Sequence, residues 1–104
     1  MNKGQKELGD LKVIFAALAH ASRRQILLAL KFRGGAMSAG EIADRFSCKW
    51  PTTTRHLKTL VKAELITVRK DGRGRLYELN QERLTKVLDG WLEWFRKDDE
   101  DQRS

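Results

Sequence analysis

The apolar positions of this chain fall into five helical stripes and one β-rich stretch. From Glu7 to Ala19 the apolar residues Leu8, Leu11, Ile14, Phe15 and Leu18 recur at steps of three and one, the spacing of one helical face. Residues 1–6 read as a frayed start. Ala19–Ser22 interrupts the stripe. A second one over roughly 22–32 turns Ile26, Leu27, Leu30 and Phe32 inward, with Ser22 or His20 available as its cap. Gly34 and Gly35 then mark a loop, and Ala36-Met37 is long enough only for a very short strand.

Ser38 to Glu41 has the form S-x-x-E of a capping box. It opens a short helix over about 39–46 with Ile42, Ala43 and Phe46 inward. After Ser47-Cys48-Lys49, a longer helix is expected from Trp50 to Ala63. Pro51 suits the first turn of that helix, where its missing N–H costs nothing. Leu65–Lys70 and Arg75–Leu79 are β-rich and bracket Asp-Gly-Arg-Gly, a strong hairpin signal. The last stripe, over about 81–97, carries Leu84, Val87, Leu88, Trp91, Leu92 and Phe95.

Two short helices joined by a tight link, the second basic, form the helix-turn-helix pattern. With the hairpin, the expected fold is mainly α: a winged helix-turn-helix of about five helices plus a two- or three-stranded wing sheet. Residues 1–104 read as one domain. Its parts are the helix-turn-helix at 39–63, the wing at 65–80, and terminal helices at 7–19 and 81–97 suited to dimerisation.

Charge sharpens this picture. The chain carries a net +7. From Ser22 to Arg83 there are 14 Lys/Arg against 6 Asp/Glu, a balance of +8, while the tail Asp98–Asp101 is acidic. A basic middle favours polyanionic partners. With Leu57 at the centre of the buried face and a step of about 100° per residue, Thr52, Arg55, Lys58, Thr59 and Lys62 fall on the outward half, and Thr53 and Thr54 fall near the inward one. The major groove of B-DNA admits one α-helix. Threonine hydroxyls bond phosphate oxygens or base edges, and arginine makes a two-pronged contact with guanine. The plainer reading is that the threonines start a helix and the cations solvate its face. At the hairpin tip, Lys70, Arg73 and Arg75 suit a minor groove or a run of phosphates, against the alternative of a solvated basic turn.

Other candidates divide more evenly. Trp50 projects inward, as a core wedge or a half-buried neighbour of a sugar-phosphate backbone. His56 projects to the boundary, where it bonds phosphate, bonds another helix, titrates as a switch or fills space. His20 reads as a cap or surface residue. Cys48 reads as core rather than as a redox sensor, and as a single cysteine it excludes an internal disulfide.

The runs FAALAHASRRQILLAL, MSAGEIADRF and KWPTTTRHLKTLVKAELITVRKDGRGRLYELN resemble the ArsR/SmtB-type winged helix-turn-helix transcriptional regulators over about Ile14 to Asn80. The most specific pieces are Arg23-Arg24 with Ile26-Leu27, Glu41-Ile42-Ala43, Pro51 followed by Arg55-His56-Leu57, and Gly72 to Asn80. The resemblance implies a homodimer built on the first and last helices. It also implies DNA contacts from Trp50, Thr52, Thr54, Arg55 and His56 and from the wing arginines. Added to the outward cations, the expected DNA-binding set is Lys49, Trp50, Thr52, Thr54, Arg55, His56, Lys58, Thr59, Lys62, Arg73 and Arg75. The expected dimer interface is Leu8, Leu11, Phe15, Leu88, Trp91, Leu92 and Phe95, because one short chain struggles to cover both terminal helices.

Metal-sensing relatives carry cysteines before the recognition helix or histidines on the last helix. Ala36–Glu41 and Gln81–Lys97 hold neither, so no metal and no cofactor is expected. Nothing approaches the ~18 residues of a membrane span and the start lacks a signal-peptide core. A cytoplasmic, dimeric, sequence-specific DNA-binding repressor acting on a near-palindromic site is therefore expected, with its effector open. The alternative is a winged-helix interaction module for an acidic protein partner. An enzyme is disfavoured: no nucleophile and base converge, and no glycine-rich phosphate loop precedes a helix.

Overall fold

The computed structural model describes residues 3–46 and 50–103, with side chains over 4–46 and 51–96. Eight elements follow in order: α1 (Lys3–Leu18), α2 (Ala21–Phe32), β1 (Ala36–Ser38), α3 (Ala39–Arg45), α4 (Trp50–Lys62), β2 (Ile66–Asp71), β3 (Gly74–Leu79) and α5 (Gln81–Arg103). The strands form one antiparallel sheet in the order β1-β3-β2. This is the expected winged helix-turn-helix, in its three-stranded version.

Each boundary has a local cause. Residues 3–6 are already helical rather than frayed. His20 sits at the N-cap of α2 in extended backbone without a side-chain cap bond. Ser38 and Glu41 close the capping box in both directions: the Glu41 amide donates to Ser38 Oγ, and the Ser38 amide to the Glu41 carboxylate, each at 3.1 Å. Helix α4 ends in a reversed turn in which the Leu65 amide donates to the Leu60 carbonyl at 3.0 Å and the Glu64 amide to the Val61 carbonyl at 2.9 Å. That geometry places Glu64 in the left-handed region, φ 62°, a position that glycine ordinarily fills. Asn80 caps α5, its Oδ1 accepting from the Arg83 amide at 3.3 Å.

The core is assembled from the inward stripes: Ile14 of α1, Ile26 and Leu30 of α2, Ile42 of α3, Leu57 and Leu60 of α4, and Leu65, Ile66 and Tyr77 around the sheet. Two inward assignments fail. Phe32 is 79% exposed, because it stands about 200° around the helix from buried Leu30, on the face of Leu28, which is 55% exposed. Ala43 lies on the exposed face of α3, while Ile42 is buried and Ala39 and Phe46 pack against the core beside it. Helix α5 is longer than its apolar stripe and continues through the acidic tail.

Candidate nucleic-acid interface

Helix α4 is built from its buried side outward. Leu57 and Leu60 are 1% and 0% exposed, which fixes the helix's rotation on the body. Thr52, Arg55, Lys58 and Lys62 are then exposed, and Thr59 is half-buried. The Thr59 hydroxyl donates back to the Arg55 carbonyl at 3.1 Å. The face is cationic and hydroxyl-bearing, as the projection anticipates. Thr54 departs from the expected contact set: its Oγ1 is shielded from solvent and finds no hydrogen-bond partner among the described residues, so a base or phosphate cannot reach it in this arrangement. Thr53 is buried, at 2% exposure. Cys48, Lys49 and the Trp50 side chain lie outside the described residues.

The wing emerges from the same sheet that packs on the core. Ile66 pairs with Leu79, Val68 with Tyr77, and Lys70 with Arg75. Residues opposite one another share a face, so the core-facing side of the ribbon turns cationic as it leaves the body. Asp71 pairs with Gly74, leaving the two-residue loop Gly72-Arg73. Gly72 has φ 63° and is the loop's only residue with positive φ, the requirement of a II′-type hairpin turn. Lys70, Arg73 and Arg75 are all exposed, and like charges directly opposite on a ribbon repel. Arg69 is engaged elsewhere, donating to the Glu78 carboxylate at 2.7 Å.

One buried and one half-buried arginine hold this apparatus together, and charge patterning singles out neither. Arg23 is only 8% exposed. Its Nε donates to the Ala17 carbonyl at 2.6 Å, one terminal nitrogen to the Ala16 carbonyl at 2.9 Å, and the other faces His56 Nδ1 at 3.3 Å. It thereby ties the end of α1 to α4. The detectable signal is position: Arg23 lies three and four residues before Ile26 and Leu27, on the inward face of α2. Arg83 does the same for α5. Its Nε donates to the Ala63 carbonyl at 2.9 Å, and its guanidinium lies 3.5 Å from Glu64 and 3.7 Å from Asp10 of α1.

The His20 and His56 rings stand 5.6 Å apart. Burial holds the His56 imidazole below the usual histidine range, with the positive charge of Arg23 as the next cause and His20 and Arg55 adding to it.

Of the expected interface residues on the terminal helices, Leu8, Phe15, Trp91, Leu92 and Phe95 are exposed. Phe15, Trp91 and Phe95 form an edge-to-face chain with centroids 5.4 and 5.2 Å apart. Leu11 differs. It is 7% exposed, already covered by its own chain, so it has little to offer a second copy. Leu88 is half-buried against the core. No three His, Cys, Asp or Glu side chains gather among the described residues in a way that would hold a metal. Among the described residues, no single helix is long and apolar enough to cross a membrane.

A helix-turn-helix with an exposed basic second helix and a basic wing defines the class of winged helix-turn-helix DNA-binding regulators. Comparison with known proteins narrows it. A helix-turn-helix domain family matches residues 18–69. The chain is 36% identical over 88 residues to the transcriptional repressor SdpR of Bacillus subtilis, covering 85% of this chain and 96% of that one. It is 35% identical over 79 residues to the arsenical resistance operon repressor of Staphylococcus aureus, covering 76% and 74%. The crystal structure of an ArsR family transcriptional regulator superposes with a TM-score of 0.77 at 29% identity, over 88% of this chain and 92% of that one. An ArsR-like transcriptional regulator from Rhodococcus sp. RHA1 gives 0.74 at 26% identity, over 92% of each. The chain belongs to the ArsR-type winged helix-turn-helix transcriptional regulators, a family of DNA-binding proteins rather than enzymes.

Proposed function

We propose that this protein is a dimeric repressor that occludes a near-palindromic operator. Two copies of α4 would enter successive major grooves while the two wings lie along the flanking backbone. The observation that carries this reading is the exposed set Thr52, Arg55, Lys58 and Lys62 beside the self-repelling wing pair Lys70–Arg75. A polyanion offsets that repulsion, and phosphate contacts supply most of the affinity with a strong salt dependence. Arg55 supplies base discrimination, and Arg73 and Arg75 supply backbone affinity. The named relatives include transcriptional repressors, which supports the sign of regulation.

Dimerisation rests on the apolar surface of α1 and α5. Leu8 is 64% exposed and Phe95 56%, and Leu8, Trp91 and Trp94 line a groove of about 830 Å³ between the two helices. Exposed apolar surface on this scale is covered in stable assemblies, and a two-fold axis would present the two reading helices on one side.

The test starts from random duplexes retained by the protein and sequenced. Arg55→Ala should cost about 1–3 kcal/mol on the selected duplex and relax its sequence preference. Arg73→Ala should weaken all duplexes alike and lower the salt slope by about one. If both variants bind selected and random duplexes as the parent does, these roles are wrong.

A further inference from the structure

Arg23 is an expensive side chain to bury, and its hydrogen bonds say what it holds. Two of its nitrogens are committed to the Ala16 and Ala17 carbonyls at the end of α1. The third partner is not a carboxylate but an imidazole nitrogen, His56 Nδ1 at 3.3 Å. A guanidinium is always a donor and never an acceptor. Nδ1 must therefore offer its lone pair, which puts the only ring proton on Nε2 and leaves the ring neutral. A proton added to Nδ1 replaces the acceptor with a donor. Two donors and two positive charges then face each other across the same 3.3 Å.

Among the described residues, the charged and titratable groups that act on His56 are Arg23 from α2, His20 from the link between α1 and α2, and Arg55 from its own helix. None of the three is acidic, so nothing among them compensates the added charge. The His20 ring stands 5.6 Å away and is a further cause that lowers the His56 imidazole. His56 belongs to α4, one residue from Arg55 and two from Lys58. A displacement of its ring side therefore reorients the residues proposed to read base edges.

We propose that Arg23 is a positioning residue for the reading helix, acting through neutral His56, and that protonating His56 releases this clamp and lowers sequence discrimination in acid. The inference rests on the DNA-binding reading above and adds the condition under which discrimination holds. Protonation also adds positive charge to a surface facing phosphates, so affinity for arbitrary DNA does not fall with it. The signature is a loss of selectivity rather than a loss of binding.

The experiment measures affinity by fluorescence anisotropy for two probes at constant ionic strength: a duplex selected from a random pool at about pH 8, and a scrambled duplex of equal length. The pH is lowered to about 5, past the usual histidine range, because the His56 imidazole is held below it, and nitrogen-15 shifts confirm that the ring is protonated there. The ratio of the two affinities should fall at least about fivefold, the low end for losing one good base contact, while scrambled-duplex binding holds or tightens. His56→Gln keeps an acceptor for Arg23 but cannot titrate there, and its ratio should be flat. In the unmodified protein, ring nitrogen-15 shifts at about pH 8 should show the Nε2–H tautomer for His56.

An Nδ1–H tautomer, a flat ratio in the parent, or an equal fall in His56→Gln overturns the clamp while leaving the DNA-binding reading intact. Absence of binding to either duplex at about pH 8 and low salt overturns the DNA-binding reading and this inference with it.

Discussion

Glu64 is the one described non-glycine residue with positive φ, at 62°. A left-handed backbone costs an ordinary residue about 1–2 kcal/mol, and the exposed pair between Glu64 and Arg83 returns at most about 1 kcal/mol. Glu64→Gly should therefore stabilise the fold by roughly 0.5–1 kcal/mol, read as a higher urea midpoint at unchanged slope. Ser38 is the converse case. Ser38→Ala removes a capping-box hydroxyl and should cost about 1 kcal/mol. Hydrogen bonds from the Ser38 backbone and side chain, and then the Arg33 guanidinium, hold the Glu41 carboxyl below its usual range. A lowered carboxyl stabilises the fold above its unfolded value and ceases to do so as pH falls through the folded one. Ser38→Ala should move the Glu41 titration, followed by carbon-13 shifts, back toward that of an ordinary glutamate. His56 gives the opposite chemistry with the same sign against pH. Its imidazole is depressed, so the unfolded chain binds the proton first. Stability is full above the usual histidine value of about 6.5 and declines below it, and thermal midpoints should show this decline in the parent and less of it in His56→Gln.

Among the elements, those legible from sequence are the ones whose order is local. The helix α4 stripe, the Ser38–Glu41 box and the Asp71–Gly74 turn each depend on residues a few positions apart, and all three lie where the pattern puts them. The strands Ile66–Asp71 and Gly74–Leu79 close one residue nearer the tip than expected, because a two-residue loop needs only one glycine with positive φ. Legibility fails where the third dimension decides. Phe32 extends the run of apolar residues but not the inward stripe, standing about 200° from buried Leu30 on the face of exposed Leu28. Thr54 is shielded, in line with the helical projection and against the contact that the family resemblance implies. Helix α5 continues past Lys97 through residues 98–101, a stretch with neither an apolar rhythm nor a strong helix propensity. The ties from Arg23 to His56 and from Arg83 to Ala63 join residues 33 and 20 positions apart, which periodicity cannot pair.

The whole molecule is elongated. Its extents are 57 × 29 × 22 Å and its radius of gyration is 16.3 Å, against about 13 Å for a compact domain of this length. The excess reflects α5 extending beyond the body with an aromatic face. Phe95→Lys places a charge in that face. In the proposed dimer it should shift the protein to monomer in sedimentation and abolish tight operator binding, while leaving the circular dichroism of the fold in place. The Arg83 tie gives this a thermodynamic consequence. One guanidinium joins the root of α5 and the flank of α1 to the carbonyl that closes α4. In the proposed dimer this tie would couple the arm to the body, so that dilution alone, by separating two arms, should lower the temperature at which α4 comes apart, as scanning calorimetry at two protein concentrations would show.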